Sequence, residues 1–383
     1  MGNEAAEKIE NTKETSARKT KKSKSVKYYR PSLERLRIIL MGLICIYLYG
    51  FPTKFGDFIQ TVCGFVPLAF YIISGYLVLR QSENRSKRIL RAIKRSAVAF
   101  VTMTVVFFIL SYIYNLNQGV NILPSLQTKD FWYNFIFLNV WPFEIGKALW
   151  YVQALLYAYI IIFILDKLKL LKFDWIFFSV LLIITVFGGE FNGLFPWNIK
   201  GYTYIPGNFL TRALPYILLG AFIHRKAGFF RKISRTAYVV GFVCGIVLIA
   251  LEQLVLAMLG YDGYYGHLIG MGVMAFSVCM IAIKAENKSG FEERLGLKRG
   301  YTNIIYYINA PVCMMFVLLI PQMRKIFEQS VIDNFFSYIS IVTFVISFFT
   351  AWVIANLSKR IKIKIRILRE KRRKKKKKNE LKN

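Results

Sequence analysis

Residues 58–79 read FIQTVCGFVPLAFYIISGYLVL, a stretch of 22 residues without a charged side chain. At a rise of 1.5 Å per residue, a helix of this length spans about 33 Å, which covers the roughly 30 Å hydrocarbon core of a bilayer. The stretch also lacks the strict alternation of apolar and polar residues that is typical of a membrane β-strand. It therefore predicts a transmembrane helix.

Similar apolar runs recur on both sides of this stretch in a chain of 383 residues that is 55% hydrophobic. Only helices and closed barrels satisfy the backbone in lipid, and the runs have no barrel pattern. The sequence therefore predicts an all-α, polytopic integral membrane protein with about ten transmembrane helices. The runs are approximately 36–51, 58–79, 97–115, 148–165, 175–188, 207–223, 237–259, 266–283, 303–321 and 335–356.

The basic residues between the runs alternate from one connector to the next. Connectors 80–96, 166–174, 224–236 and 284–302 hold 20 Lys and Arg, whereas the five connectors of the opposite set hold 6. Cytoplasmic loops are enriched in Lys and Arg, and the two basic tails belong to the enriched set. We expect a multi-pass protein of the cell membrane (inner or plasma membrane) with both termini in the cytoplasm.

Three regions follow from composition. Residues 1–30 are rich in Lys, Glu, Thr and Ser, so we expect a disordered basic N-terminal tail. Residues 31–360 form the transmembrane domain, and residues 361–383 form a polybasic C-terminal tail. Clustered Lys and Arg next to a membrane span favour anionic membrane lipids as partners.

Several other functions are disfavoured by the composition. The net charge of +32 is divided among many connectors and the tails, so there is no single basic face for nucleic acid. The five cysteines lie inside apolar runs without paired spacing, and the chain has only two histidines. We therefore expect no nucleic-acid partner, no metal site and no permanently bound cofactor.

Ionisable side chains inside spans are costly in lipid and mark candidate functional sites. Arg212, Glu252 and His267 lie in three consecutive predicted helices, all toward the side that faces away from the cytoplasm. Either Arg212 and Glu252 form a pair that joins helices, or the three residues form a polar cavity. In the cavity, His267 or Glu252 would act as a base and Arg212 would stabilise negative charge.

Other side chains fit the binding of two substrates. Trp150, Tyr151 and Gln153 begin the fourth predicted helix at the same outer level, and such aromatic and amide groups suit a sugar acceptor. On the cytoplasmic side, Arg88 and Arg91 lie in a basic connector. Arg matches phosphate oxygens, so this connector would hold the phosphates of a donor such as coenzyme A.

Five stretches, taken together and in order, resemble the acyltransferase-3 family of membrane acyltransferases, which O-acylate surface polysaccharides and related acceptors. The clearest is VPLAFYIISGYL at residues 66–77, which is similar to the second helix of the family. The others are LERLR at 33–37, KRILR at 87–91, ALWYV at 148–152 and FLTRALPYILLG at 209–220. The resemblance covers residues 30–360.

The resemblance implies ten spans, a cytoplasmic acyl-CoA donor and acyl delivery to an envelope glycan at the outer face. We therefore expect an O-acyltransferase of the cell envelope that modifies polysaccharide by transfer of an acetyl-like group. Arg37 would stabilise the donor end of the path between the two sides. The alternative is a catalytically degenerate member that acts as a transporter or envelope scaffold.

One position departs from the family pattern. Members carry an Arg followed by ten residues and a His in the first helix, but counting from Arg37 gives Leu48. Three explanations stay open: His267 serves as the base, Tyr47 or Tyr49 assists a different arrangement, or the protein does not catalyse acyl transfer.

Overall fold

The computed structural model describes most of the chain. The described residues are 31–51, 55–80, 84–117, 119–140, 149–187, 208–260, 267–285 and 301–380. Within these ranges the regular structure is helical and no strand occurs, which confirms the predicted all-α class. The N-terminal tail predicted over residues 1–30 lies outside the described residues.

The helices follow one another with short connections. They are α1 Pro31–Tyr49, α2 Gly56–Val62, α3 Phe65–Val78, α4 Arg85–Asn117, α5 Lys129–Tyr133, α6 Leu149–Lys167, α7 Asp174–Phe187, α8 Leu214–Arg225, α9 Ala227–Lys232, α10 Arg235–Met258, α11 Ile269–Lys284, α12 Tyr301–Met323, α13 Gln329–Ser337 and α14 Ile339–Glu380. Residues 361–380 continue α14 as helix, so the described part of the basic C-terminal segment extends the last span.

Seven helical segments of the described residues are long and apolar enough to cross a membrane. The other three predicted spans also contain helix. Of these, α1 carries Glu34, Arg35 and Arg37, α11 has 16 residues, and α8 is preceded by a π-helical turn. The chain is thus a multi-pass membrane protein, and the number ten stays a prediction.

The outer surface of the bundle suits contact with lipid. Along α4, Val98, Val101 and Val105 are exposed, and α7 and α10 expose similar apolar stripes. Apolar exposure of this extent would be costly in water but is favourable in a hydrocarbon layer. These helices therefore lie at the periphery, around a buried centre.

The centre of the bundle is the crossing of α3 with α8, which brings together two of the stretches that resemble the family. A Cβ added at Gly75 would overlap the carbonyl oxygen of Ile217, and one added at Gly220 would overlap the carbonyl oxygen of Ile72. Small residues allow membrane helices to approach closely and pack by van der Waals contact. The two glycines thereby hold the site-bearing start of α8 against α3.

The connections and contacts separate the two ends of the bundle. Arg85, Asp166 and Arg225 lie at one end, which we call the basic end. Trp150 and Arg212 lie at the other end, which we call the outer end in keeping with the predicted topology. Each candidate functional residue can be assigned to one of them.

Candidate functional site

Arg212 lies on a π-helical turn, Phe209–Ala213, that immediately precedes α8. The turn begins at Asn208, whose Oδ1 accepts hydrogen bonds from the backbone N–H groups of Leu210 (2.7 Å) and Thr211 (3.2 Å). π-Helical turns inside helices occur frequently at functional sites. This turn re-aims the Arg212 side chain relative to the helix that follows.

A proline stabilises this irregular start through a tertiary contact. Pro215, in the first turn of α8, has no N–H to donate to the preceding turn. Thr185 of α7 supplies a donor instead, because its hydroxyl donates to the carbonyl oxygen of Thr211 at 2.9 Å. A buried side chain thus satisfies a carbonyl oxygen that water cannot reach in the membrane.

The Arg212 guanidinium is buried, with 7% of the residue exposed, and packs on an aromatic ring. Its central carbon lies 5.6 Å from the centroid of the Trp150 ring, within the range of a cation–π interaction. Among the residues that the structure describes, no acceptor lies within hydrogen-bond reach of its buried Nε and no carboxylate pairs with it. A buried cation is therefore held mainly by an aromatic face.

Glu252 has a different task from the one that a helix-joining pair would give it. Its Oε1 accepts from the backbone N–H of Ile269 at 2.9 Å, and its Oε2 accepts from that of Gly270 at 3.0 Å. The carboxylate thus caps the N-terminus of α11, where N–H groups lack helical partners and negative charge is favoured. Of the two alternatives for Arg212 and Glu252, the structure does not contain the pair.

His267 lies two residues before α11 and is 2% exposed. Its Nε2 forms a 3.1 Å hydrogen bond with the Tyr216 hydroxyl, whose direction depends on the histidine tautomer. Gly272 leaves room for this hydroxyl, since a Cβ at Gly272 would lie 2.6 Å from it. Arg212 is within electrostatic reach of both the histidine and the tyrosine.

Tyr216 is the residue of this site that the sequence analysis missed. It lies four residues after Arg212, so the two side chains are on one face of the helix that begins there. That spacing was the available signal. We call Trp150, Arg212, Tyr216, Glu252 and His267 the outer cluster.

The three residues predicted to bind the acceptor divide between two environments. Trp150 belongs to the outer cluster through Arg212. Gln153 is buried, and its amide nitrogen donates to the carbonyl oxygen of Phe135 (2.5 Å) and to the Tyr157 hydroxyl (3.2 Å). It therefore anchors the segment before α6. Tyr151 points into the centre of the bundle.

Stacked tyrosines at the centre of the bundle lie between Arg37 and the outer cluster. The rings of Tyr71 and Tyr151 are 4.7 Å apart and nearly parallel, and Tyr306 lies 5.4 Å from Tyr151. Tyr151 interacts electrostatically with Arg37, and Tyr71 does so with Arg212. We call these three rings the tyrosine column.

Arg37 lies apart from the other predicted catalytic residues, nearer the basic end. Its guanidinium is 3.4 Å from Glu34 of the same helix and donates at 3.4 Å to Asn303 at the start of α12. The four predicted residues are thus divided: Arg212, Glu252 and His267 belong to one cluster, and Arg37 lies at the far side of the tyrosine column.

The two arginines predicted to hold donor phosphates also differ. Arg88 donates through Nε to the carbonyl oxygen of Val78 at 3.1 Å and through Nη2 to that of Arg80, so it caps the end of α3. Arg91 is exposed and bonds only to the carbonyl of Lys87, one turn earlier in α4 at 3.2 Å. Arg91 is the more accessible of the two.

The neighbours of Leu48, where family members carry histidine, make separate contacts. Tyr47 interacts electrostatically with Tyr71 and Tyr306 of the tyrosine column. The hydroxyl of Tyr49 donates to Asn309 at 3.4 Å, away from that column. Of the two, Tyr47 is better placed to assist chemistry there.

The described ranges contain no group of His, Cys, Asp or Glu side chains with the arrangement of a metal site. The profile of the acyltransferase-3 family, described as an acyltransferase domain, matches residues 30–362. No curated protein and no solved structure gives a significant match. The chain therefore belongs to the acyltransferase-3 family and is a multi-pass membrane acyltransferase.

Proposed function

We propose that this protein is an O-acyltransferase that moves an acetyl-like acyl group from cytoplasmic acyl-CoA to a cell-envelope glycan or related acceptor. The observation that carries the proposal is the tyrosine column, with Arg37 on one side and Arg212 on the other. A reaction between substrates on opposite faces of a membrane needs such a line of polar groups through the bundle. The donor nucleotide would stay at the basic end, and its thioester arm would extend along the column.

The outer cluster has the groups that acyl transfer requires. His267, hydrogen-bonded to Tyr216, would accept the proton of an acceptor hydroxyl as the oxygen attacks the thioester carbonyl. The C–O bond forms, the C–S bond breaks, and the departing coenzyme A thiolate takes up a proton. Arg212 would stabilise the negative charge that develops on the carbonyl oxygen.

The remaining predicted residues take supporting parts in this scheme. Trp150 presents an aromatic face on which a sugar ring would stack next to Arg212. Gln153 and Tyr151 position the first turns of α6. Glu252 positions His267 by capping α11. At the basic end, Arg91 would contact donor phosphates, and Arg88 holds the connector that carries it.

A non-catalytic transporter or envelope scaffold is the competing function. A scaffold would favour a sealed core in which Arg212 is neutralised by Glu252. The structure has no such pair, because the Glu252 carboxylate binds two backbone N–H groups instead. A buried arginine without a carboxylate partner costs stability, so its retention favours a role in binding negative charge.

Turnover of acetyl-CoA by the purified protein, with a glycan acceptor, tests the proposal. We expect His267→Gln to lower the rate about a hundredfold or more, because the general base is lost. His224→Gln is the matched control, since His224 is the other histidine of the chain and packs on Tyr76 at the basic end of α8. Full activity of the His267 variant removes this residue from the mechanism, and absence of turnover by the wild-type protein supports the scaffold.

A further inference from the structure

A cleft of about 410 Å³ opens at the basic end of the bundle, where three of the four Lys- and Arg-rich connectors meet. It lies between the start of α4, the turn before α7 and the end of α8. Five cationic side chains line it: Arg85, Lys169, Lys172, Arg225 and Lys226. This concentration of charge is distinct from Arg88 and Arg91, which do not line the cleft.

Two buried aspartates hold the arginines of the cleft in place. Asp166 accepts from Arg85 Nε at 2.7 Å, and the Ser86 hydroxyl donates to its second oxygen at 2.5 Å. Asp174 pairs with Arg225, which also donates to the backbone carbonyl oxygens of residues 171 and 172 at 3.3 Å. Planar guanidinium groups held from one side offer their remaining N–H groups to a second acceptor.

The three lysines keep their full charge. No carboxylate within the described parts of the chain lies at ion-pair distance from Lys169, Lys172 or Lys226, and all three are exposed. The two aspartates offset the two arginines, so the cleft carries an excess of three positive charges. That excess is suited to a phosphate group.

The apolar surface next to the cleft indicates what kind of molecule carries the phosphate. Trp175, at the rim, is 52% exposed, as is typical of a side chain at a membrane interface. From it, Ile176, Val180 and Ile183 form an exposed stripe along α7. A soluble nucleotide has no use for such a stripe, whereas the acyl chains of a lipid would lie along it.

We propose that this cleft binds the phosphate of an anionic phospholipid head group, with the lipid's acyl chains along the exposed face of α7. The site does not depend on the acyl-transfer proposal. A bound lipid here would fix the turn before α7, and α7 carries Thr185, which supports the π-helical turn of Arg212.

The test is native mass spectrometry of full-length protein extracted from vesicles of phosphatidylcholine with a minor fraction of phosphatidylglycerol. We compare the wild type with Lys169→Gln/Lys172→Gln/Lys226→Gln. The matched control, Lys94→Gln/Arg231→Gln/Lys232→Gln, removes three exposed positive charges at the same end but outside the cleft. Exposed side chains are exchanged in both variants, and thermal unfolding verifies that each is folded.

We expect the wild type and the control to retain phosphatidylglycerol in preference to phosphatidylcholine, and the cleft variant to retain about tenfold less. Added coenzyme A should not displace the lipid. Equal retention by both variants overturns the proposal. So does displacement by coenzyme A together with loss of coenzyme A binding in the cleft variant, which would assign the cleft to the soluble donor.

Discussion

Gly272 determines whether Tyr216 and His267 can meet. We expect Gly272→Ala to push the Tyr216 hydroxyl away from His267 Nε2, because the new Cβ would lie 2.6 Å from that oxygen. Small misplacements of catalytic groups cost about tenfold to a hundredfold in rate, which acetyl-CoA turnover measures. Gly228→Ala is the control, since nothing lies within 4 Å of its added Cβ. Unchanged turnover by the Gly272 variant would show that the Tyr216 contact does not matter for catalysis.

Glu252 illustrates a residue whose importance the sequence indicated but whose task it did not. We expect Glu252→Gln to destabilise the protein by about 1–3 kcal/mol, because an amide has one acceptor oxygen for two backbone N–H groups. Thermal unfolding in detergent measures this loss, and turnover per folded molecule should be largely kept.

Glu328→Gln is the matched control for this substitution. Glu328 precedes α13 but makes no side-chain hydrogen bond to that helix, so its replacement should leave the unfolding temperature unchanged. Normal stability of the Glu252 variant together with lost turnover would return Glu252 to a direct part in catalysis.

At the scale of elements, the crossing of α3 and α8 depends on two glycines that face each other's backbone. We expect Gly75→Ala and Gly220→Ala each to destabilise the protein by about 1–3 kcal/mol, because the helices must separate to admit a methyl group. Thermal unfolding and the yield of monodisperse protein report the effect.

Gly42→Ala serves as the comparison for this crossing. Its added Cβ would lie 3.6 Å from the Phe344 ring, an ordinary contact, and alanine favours helix over glycine. Its stability should equal or exceed that of the wild type. Equal stability of all three variants would mean that the close approach of α3 and α8 does not limit packing.

The elements also show how far the apolar runs could be read. Each predicted run contains helix, because length and hydrophobicity alone favour helices in lipid. The π-helical turn before α8 was not predictable from hydrophobicity. It depends on Pro215 and on a donor from Thr185, which is 26 residues away from the carbonyl that it satisfies.

At the scale of the whole molecule, the predicted topology places both termini and the cleft in the cytoplasm. We expect alkaline phosphatase fused within residues 119–123 to be active in bacterial cells, because the connector that contains them is poor in basic residues. The same reporter fused after residue 380 should be inactive. The opposite pattern would invert the topology and, with it, the sides proposed for donor and acceptor.

The amino-acid sequence by itself determined the helical membrane class, the family and the identity of most charged candidates. These follow from properties of single segments, namely an apolar length, a basic connector and a short motif. The tertiary structure alone decided what each charge contacts. It gave Glu252 to the N-terminus of α11, Arg88 to the end of α3 and Arg212 to the face of Trp150. It also joined three connectors into one cleft. Such contacts join residues far apart in the chain, and their geometry depends on how the helices cross, which no single segment contains.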